Sequence, residues 1–461
     1  MRYISTRGGI APVSFKDAVM MGLADDGGLL LPQSVPTISQ EALKRLADMS
    51  YQEIAYDLIH RFVDDIPESD LKELINRSYA TFNHPNVTPV VREDGVYILE
   101  LFHGVTLAFK DVALQLLGNL FEYILADRNQ TLTIIGATSG DTGSAAIHGV
   151  RGKKGIRIFI LHPDGKTSPV QALQMTSVLD ANVHNIAVDG TFDDCQDIVK
   201  QLMGDLAFKQ QYNLGAVNSI NWARVLAQVV YYFYAWSRVS NDGAPISFSV
   251  PTGNFGDIFA GYVAKKMGLP IEKLILATNE NNILTRFVTN GDYSVGEVVQ
   301  TLSPSMDIQV ASNFERYLFY LFDQNPLAVQ AAFTELKDQG RITITQEQLT
   351  QVQAEFASCS VGRDETLAMI QLFKKQTGYL LDPHTAVGVK AGLSCAGAVP
   401  VVCLATAHPA KFGDAVQEAT GEEVPLPAEI STLFGLETRC DHLPADLEAI
   451  RRYLVETVQR G

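Results

Sequence analysis

The pattern of apolar and polar positions changes character near residue 95. Before it, apolar residues recur at intervals of three and four over 40–47, 51–63 and 68–79, the spacing of helices with one buried face. Ser14, with Asp17 three residues on, has the form of a capping box ahead of another apolar run. The proline-bearing stretch FNHPNVTPVV closes this segment. Beyond it the apolar runs become short and continuous: VYILEL, LTIIG, IRIFIL, VHNIAV, ISFSV, LILAT and VPVVCLA. They are rich in β-branched residues, lack strict alternation and are separated by helical patterns, as expected of parallel strands covered on both faces. Helical spacing returns over 311–375, with FERYLFYLF and RDETLAMIQLFKK. The prediction is an α/β fold with two parallel-sheet domains and a mainly helical N-terminal domain over 1–95. A larger domain takes 96–130 and 240–461, and a smaller α/β domain is inserted over 131–239.

Composition then narrows the function. The 461 residues are 46% hydrophobic and 19% charged, the balance of an ordinary globular enzyme. A formal charge of −16 opposes a nucleic-acid or anionic-membrane partner, because both require a basic footprint. An anionic substrate is still compatible if the positive field is local. The five cysteines, Cys195, Cys359, Cys395, Cys403 and Cys440, form no CxxC pair and have no histidines at zinc-ligand spacing, so no metal site is expected. Scattered reduced thiols, no signal-peptide core at the start and no apolar run of ~18 residues point to a soluble cytoplasmic protein.

Ligands of open parallel sheets bind where strands lead into helices. The first such loop, GATSGDTGSAA, offers Thr138, Ser139 and Thr142 beside a helix start, an anion site with three hydroxyls. Alone it reads equally as a plain turn capped by Asp141. A second loop, SVPTGNFGD, places Gly253, Asn254, Phe255, Gly256 and Asp257 at another helix start, where the glycines let the backbone approach a phosphate. Neither loop has the GxxxxGK[ST] or GxGxxG spacing of a nucleotide site. In VNSINWARVLAQVVYYFYAW, Trp222, Val225, Leu226, Val229, Val230 and Phe233 form an apolar stripe. Arg224 lies off that stripe and so reads as solvated unless an anion needs a planar clamp; Asn218 and Ser219 stand at the helix start. Thr406 and His408 follow the strand VPVVCLA, and His408 reads equally as a structural cap.

Lys110 lies in LFHGVTLAFKDVALQ, behind two phenylalanines and a glycine. A lysine at its usual pKa of ~10.4 is protonated at neutral pH, and only the free amine attacks a carbonyl. An apolar setting lowers that pKa and suits Schiff-base chemistry. One such lysine, a phosphate loop, a second anion loop and a hydroxyl at a strand end together fit pyridoxal 5′-phosphate.

ELFHGVTLAFKD, ATSGDTGSAA, SVPTGNFGD and ATAHPAKF, in this order, resemble the signature segments of the threonine synthase family in its branch with a long N-terminal domain. DGGLLLP, VNSIN and DPHTAVG match as well, so the resemblance spans essentially the whole chain. It implies a fold type II pyridoxal-phosphate enzyme, similar to tryptophan synthase β and the serine/threonine dehydratases. By resemblance, Lys110 carries the cofactor and moves protons, Gly253 to Asp257 hold the cofactor phosphate, and Thr406 faces the pyridine nitrogen. Thr138, Ser139 and Thr142 would receive the substrate carboxylate and nearby oxygens, and Asn218, Ser219 and Arg224 the substrate phosphate. Asp141 is a cofactor neighbour where relatives often carry asparagine, which leaves its role open. The implied reaction takes O-phospho-L-homoserine and water to L-threonine and phosphate, in a monomer or homodimer. The alternatives are a dehydratase or phosphate-releasing lyase of the same cofactor class, and a catalytically silent phosphate- or nucleotide-binding α/β protein.

Overall fold

The structure, a computed structural model, describes residues 1–460. In the N-terminal region three of the four α-helices begin at a serine cap. The Ser14 hydroxyl accepts the Asp17 N–H ahead of helix Phe15–Met21. Ser39 caps Gln40–Arg45, and Ser50 with Glu53 completes a reciprocal box before Tyr51–Ile59. Helix Glu68–Tyr79 follows Pro67. The region is not helical throughout: Tyr3–Ser5 pairs antiparallel with Leu30–Pro32. The helices bury Ile54, Leu58, Leu71 and Ile75, and the Tyr51 ring packs at a tilt, 5.4 Å from that of Tyr234 in the long helix Trp222–Val239.

Two parallel sheets follow. The larger has the strand order Phe356–Ser360, Ile271–Thr278, Ile246–Pro251, Val401–Ala405, Val96–Glu100 and Val90–Glu93; only the last pair is antiparallel. The smaller runs Asp441–Pro444, Val183–Asp189, Ile156–Pro163, Leu132–Ala137 and Leu214–Gly215, all parallel. Two features depart from the sequence reading. The span 311–375 is not helical throughout, because Phe356–Ser360 forms the edge strand of the larger sheet. Its sequence, FASCS, lacks the β-branched residues that mark the other strands. The span 240–461 does not stay with the larger sheet either. Asp441–Pro444 extends the smaller one, and helix Leu447–Arg460 packs Ile450 and Leu454 against Ile198, Leu202 and Phe208.

Two helices tie the sheets together at the level of the site. Lys110–Arg128 is buried over most of its length, including the polar Lys110, Asp111, Gln115 and Asn119. It crosses helix Asp141–Val150 so closely that a Cβ on Gly118 would lie 1.9 Å from the Gly149 carbonyl oxygen. A side chain at either glycine would force the two helices apart, and their first residues, Lys110 and Asp141, would separate with them.

Candidate active site

The loop before Lys110 is held at both ends. Asp111 accepts the Thr106 N–H and hydroxyl, each at 2.8 Å, and closes the loop on itself. The Phe109 N–H donates to the Thr406 carbonyl at 2.8 Å, the His408 N–H donates to the Leu107 carbonyl at 3.0 Å, and Ala108 bridges Ala407. Lys110 and Thr406, far apart in sequence, are thereby set side by side. Both are buried. The Lys110 amine lies 4.8 Å from the centre of the Phe109 ring, 3.5 Å from the Ser305 hydroxyl and 3.6 Å from an Asp141 oxygen. Burial pushes its pKa below the usual lysine value; Asp141 opposes the shift, and Lys411 and Arg224 reinforce it.

In the first loop the Thr138 hydroxyl oxygen accepts the N–H groups of Gly140 at 3.0 Å and Gly143 at 2.8 Å, which leaves its own proton free to donate. Gly140 has φ 146°, and a Cβ there would lie 2.3 Å from Gln171. Gly140, and not Asp141, therefore occupies the cap position, and Asp141 is the first helical residue. Ser139 is exposed and Thr142 half-buried beside the buried Thr138. The Asp141 carboxylate accepts Lys411 at 2.9 Å and Gln171 at 2.8 Å, and these partners with Lys110 hold its pKa well below the usual carboxylate range despite burial.

The second loop leaves strand Ile246–Pro251 and enters helix Gly256–Lys266 through Phe255, whose φ of 63° is left-handed. Nothing larger than glycine fits at 253: a Cβ would lie 2.5 Å from the Ser305 carbonyl oxygen. The result is a backbone cradle at a helix N-terminus, suited to a phosphate. Asp257 joins it through its N–H alone. Its carboxylate turns away to accept the hydroxyls of Tyr231 and Tyr232, one oxygen has no partner, and burial raises its pKa to about 6.

The third element departs from the sequence reading in two ways. Helix Trp222–Val239 starts with Asn221 as its cap, so Asn218 and Ser219 lie in the preceding turn, half-buried, with Ser219 bonded to Ser312 at 3.0 Å. Arg224 is not solvated. It is 5% exposed, forms no ion pair among the described residues, and its Nη1 has no hydrogen-bond partner. The helix is packed on nearly all its faces, so a position off the apolar stripe still points inward. Burial without an acid lowers the guanidinium pKa to about 10.

Sequence reasoning missed Lys411 and Ser305 beside Asp141 and Lys110, and His384 behind Ser305. Lys411 is inside the quoted segment ATAHPAKF but was not singled out there. Ser305 carries no motif. His384, in DPHTAVG, accepts the Ser305 N–H at 3.3 Å and is oriented by Asp382 at 2.8 Å, which pins the Ser305 segment against Gly253. His408 is a cap, accepting the Ala410 N–H at 3.1 Å. No group of three or more His, Cys, Asp or Glu side chains among the described residues could hold a metal ion.

A buried amine, a glycine cradle at a helix start and an unpartnered buried cation accommodate pyridoxal 5′-phosphate and a second anion. The two parallel sheets with this lysine between them define a fold type II pyridoxal-phosphate enzyme. The comparisons agree. The family model "Pyridoxal-phosphate dependent enzyme" matches residues 82–406, "Threonine synthase N terminus" matches 2–79, and "Threonine synthase, C-terminal" matches 385–454. Threonine synthase of Pseudomonas aeruginosa is 46% identical, over 100% of this chain and 99% of that one. The PLP-bound threonine synthase of Brucella melitensis superposes with a TM-score of 0.97 at 48% identity, covering 99% of both chains. The yeast threonine synthase structure gives 0.95 at 44%, over 100% of this chain and 99% of that one. The chain belongs to the threonine synthase family, and its cofactor is pyridoxal 5′-phosphate.

Proposed function

We propose that the chain converts O-phospho-L-homoserine and water to L-threonine and phosphate, with Arg224 as the observation that carries the choice of substrate. A guanidinium buried beside the reacting amine, with no acid to neutralise it and a donor unused, calls for an anion. It supplies the local positive field that a chain of charge −16 needs for an anionic substrate. Gly253, Asn254, Phe255, Gly256 and the N–H of Asp257 would hold the cofactor phosphate, Lys110 its aldehyde carbon, and Thr406 and Asp141 would be its ring neighbours. The cofactor supplies an electron sink for the carbons next to the substrate nitrogen.

The chain's own groups do the rest. Thr138, Ser139 and Thr142 orient the substrate carboxylate. Lys110, its pKa lowered by burial, takes the proton from the α-carbon and serves as the proton carrier of later steps. Asn218, Ser219 and Arg224 bind the phosphate and stabilise the charge that develops as it leaves the γ-carbon. Water then adds at the β-carbon. Supplying phosphohomoserine to the loaded enzyme and assaying both products tests the reading: threonine and phosphate in equal yield are expected, and phosphate with 2-oxobutanoate would assign a lyase instead.

The proposal extends to organisation. The charge and the unpaired cysteines support a cytoplasmic enzyme without a nucleic-acid partner, and we take it to act as a monomer or homodimer. No helix among the described residues is long and apolar enough to cross a membrane. We divide the chain into 1–95, a larger domain of 96–130 with 240–440, and a smaller one of 131–239 with 441–460.

A further inference from the structure

We propose that Lys411 is a positioning residue for the reaction, a buried cation that fixes the Asp141 carboxylate and balances its charge so that the neighbouring Lys110 amine can release its proton. The proposal rests on Lys110 being the reacting amine. Its basis is the geometry of three side chains. An aspartate standing alone 3.6 Å from Lys110 would hold the proton on that amine. Here the same carboxylate is shared. One oxygen accepts Lys411 at 2.9 Å and Gln171 at 2.8 Å, and only the other faces Lys110.

Lys411 cannot swing away. Its side chain is fully buried, and each of its three protons has an acceptor: the Thr106 carbonyl at 2.6 Å, the Gln174 side-chain oxygen at 2.9 Å and Asp141. Thr106 in turn belongs to the loop that sets Lys110, so the cation is fastened to the element it serves. The charged groups facing Lys110 are Asp141, Lys411 and Arg224; those facing Lys411 from other elements include Asp111 and His148, with His148 itself bonded to the Gln174 carbonyl at 3.0 Å. Among them Asp141 alone pulls a proton onto Lys110, and Lys411 is the cation in contact with it.

The pair predicts an order among variants. The pH midpoint of Lys110 acylation would be followed by competitive labelling of the full chain stripped of cofactor, with the Lys110 peptide quantified by mass spectrometry. Asp141→Asn removes the anion and leaves Lys411, so the midpoint should fall by about one pH unit. Lys411→Met leaves the anion uncompensated, so it should rise by about as much. The double variant should return near the wild type, and the loaded enzymes should show the same order in the acidic limb of kcat/KM. A purely structural role would make all three variants worse without this crossing pattern. Should Lys411→Met fail to fold, the nearly isosteric Asp141→Asn decides alone: an unchanged or raised midpoint overturns the proposal. Reductive fixing of the cofactor on another lysine would instead overturn the role of Lys110, and the labelling order would still report on the pair.

Discussion

Lys411 and Arg224 are both buried cations beside Lys110, yet their surroundings differ in kind. Lys411 has an acceptor for every proton, one of them a carboxylate. Arg224 has no carboxylate, and one of its nitrogens bonds to nothing. The anions divide the same way: Asp141 is matched by cations, whereas Asp257 has two tyrosine hydroxyls and a bare oxygen. Desolvating a charge is unfavourable unless partners replace the water. A matched pair therefore belongs to the architecture; an unmatched cation in the site marks where an anionic ligand completes the structure, and an unmatched acid shifts toward its neutral form.

The largest expected effect comes from removing the group that both cations flank. Lys110→Ala should abolish turnover with the fold intact, and borohydride reduction of the wild type should fix the cofactor on a peptide containing Lys110; label on another lysine would sink the assignment. Next, Lys411→Met should destabilise the protein by about 3–5 kcal/mol in urea unfolding, since it leaves the buried Asp141 with only the more distant Lys110 in place of its 2.9 Å partner. Arg224→Met should change stability little or raise it, because it removes an unmatched charge. Equal losses in the two variants would break the comparison.

Asp257 tests the anionic side. Its carboxyl is raised to about 6 in the fold against 3.8 in the unfolded chain, so folding favours the protonated form. That contribution to stability is complete below pH 3.8 and is lost as pH rises through about 6. Asp257→Asn cannot ionise. Its stability relative to wild type should climb between pH 4 and 6 by up to about 3 kcal/mol and then level off, and a flat difference would refute the shift. The smallest effect is the most specific. Arg224→Ala should lower kcat/KM for phosphohomoserine by roughly 1.5–3 kcal/mol, with partial recovery in Arg224→Lys, while binding of the phosphate-free norvaline stays nearly unchanged. If both ligands weaken equally, Arg224 supports the site's structure and does not read the phosphate.

The parts of this site that a reader of the sequence can find are those built from neighbours in the chain. The Lys110 segment, the two glycine-bearing loops and Thr406 at a strand end each announce themselves within a dozen residues. Most of what the sequence concealed depends on contacts between distant segments. Ser305 reaches Lys110 across 195 residues, and Lys411 reaches Thr106 across 305. Arg224 read as solvated because periodicity reports one apolar face, and this helix is covered on nearly all of them. The strand Phe356–Ser360 escaped notice because small polar residues suffice at a sheet edge, where packing asks less of a side chain.

The strand Asp441–Pro444 bears on how the chain is made. Its partner Val183–Asp189 is translated long before it, and until residues beyond 440 have left the ribosome that partner presents an open row of N–H and C=O groups. The smaller lobe thus waits, nearly finished, for its outer strand and for Ile450 and Leu454 to close its hydrophobic cluster. Meanwhile the larger sheet has received all six of its strands by residue 405. During synthesis the lobe that carries Asp141 is therefore the last to be sealed.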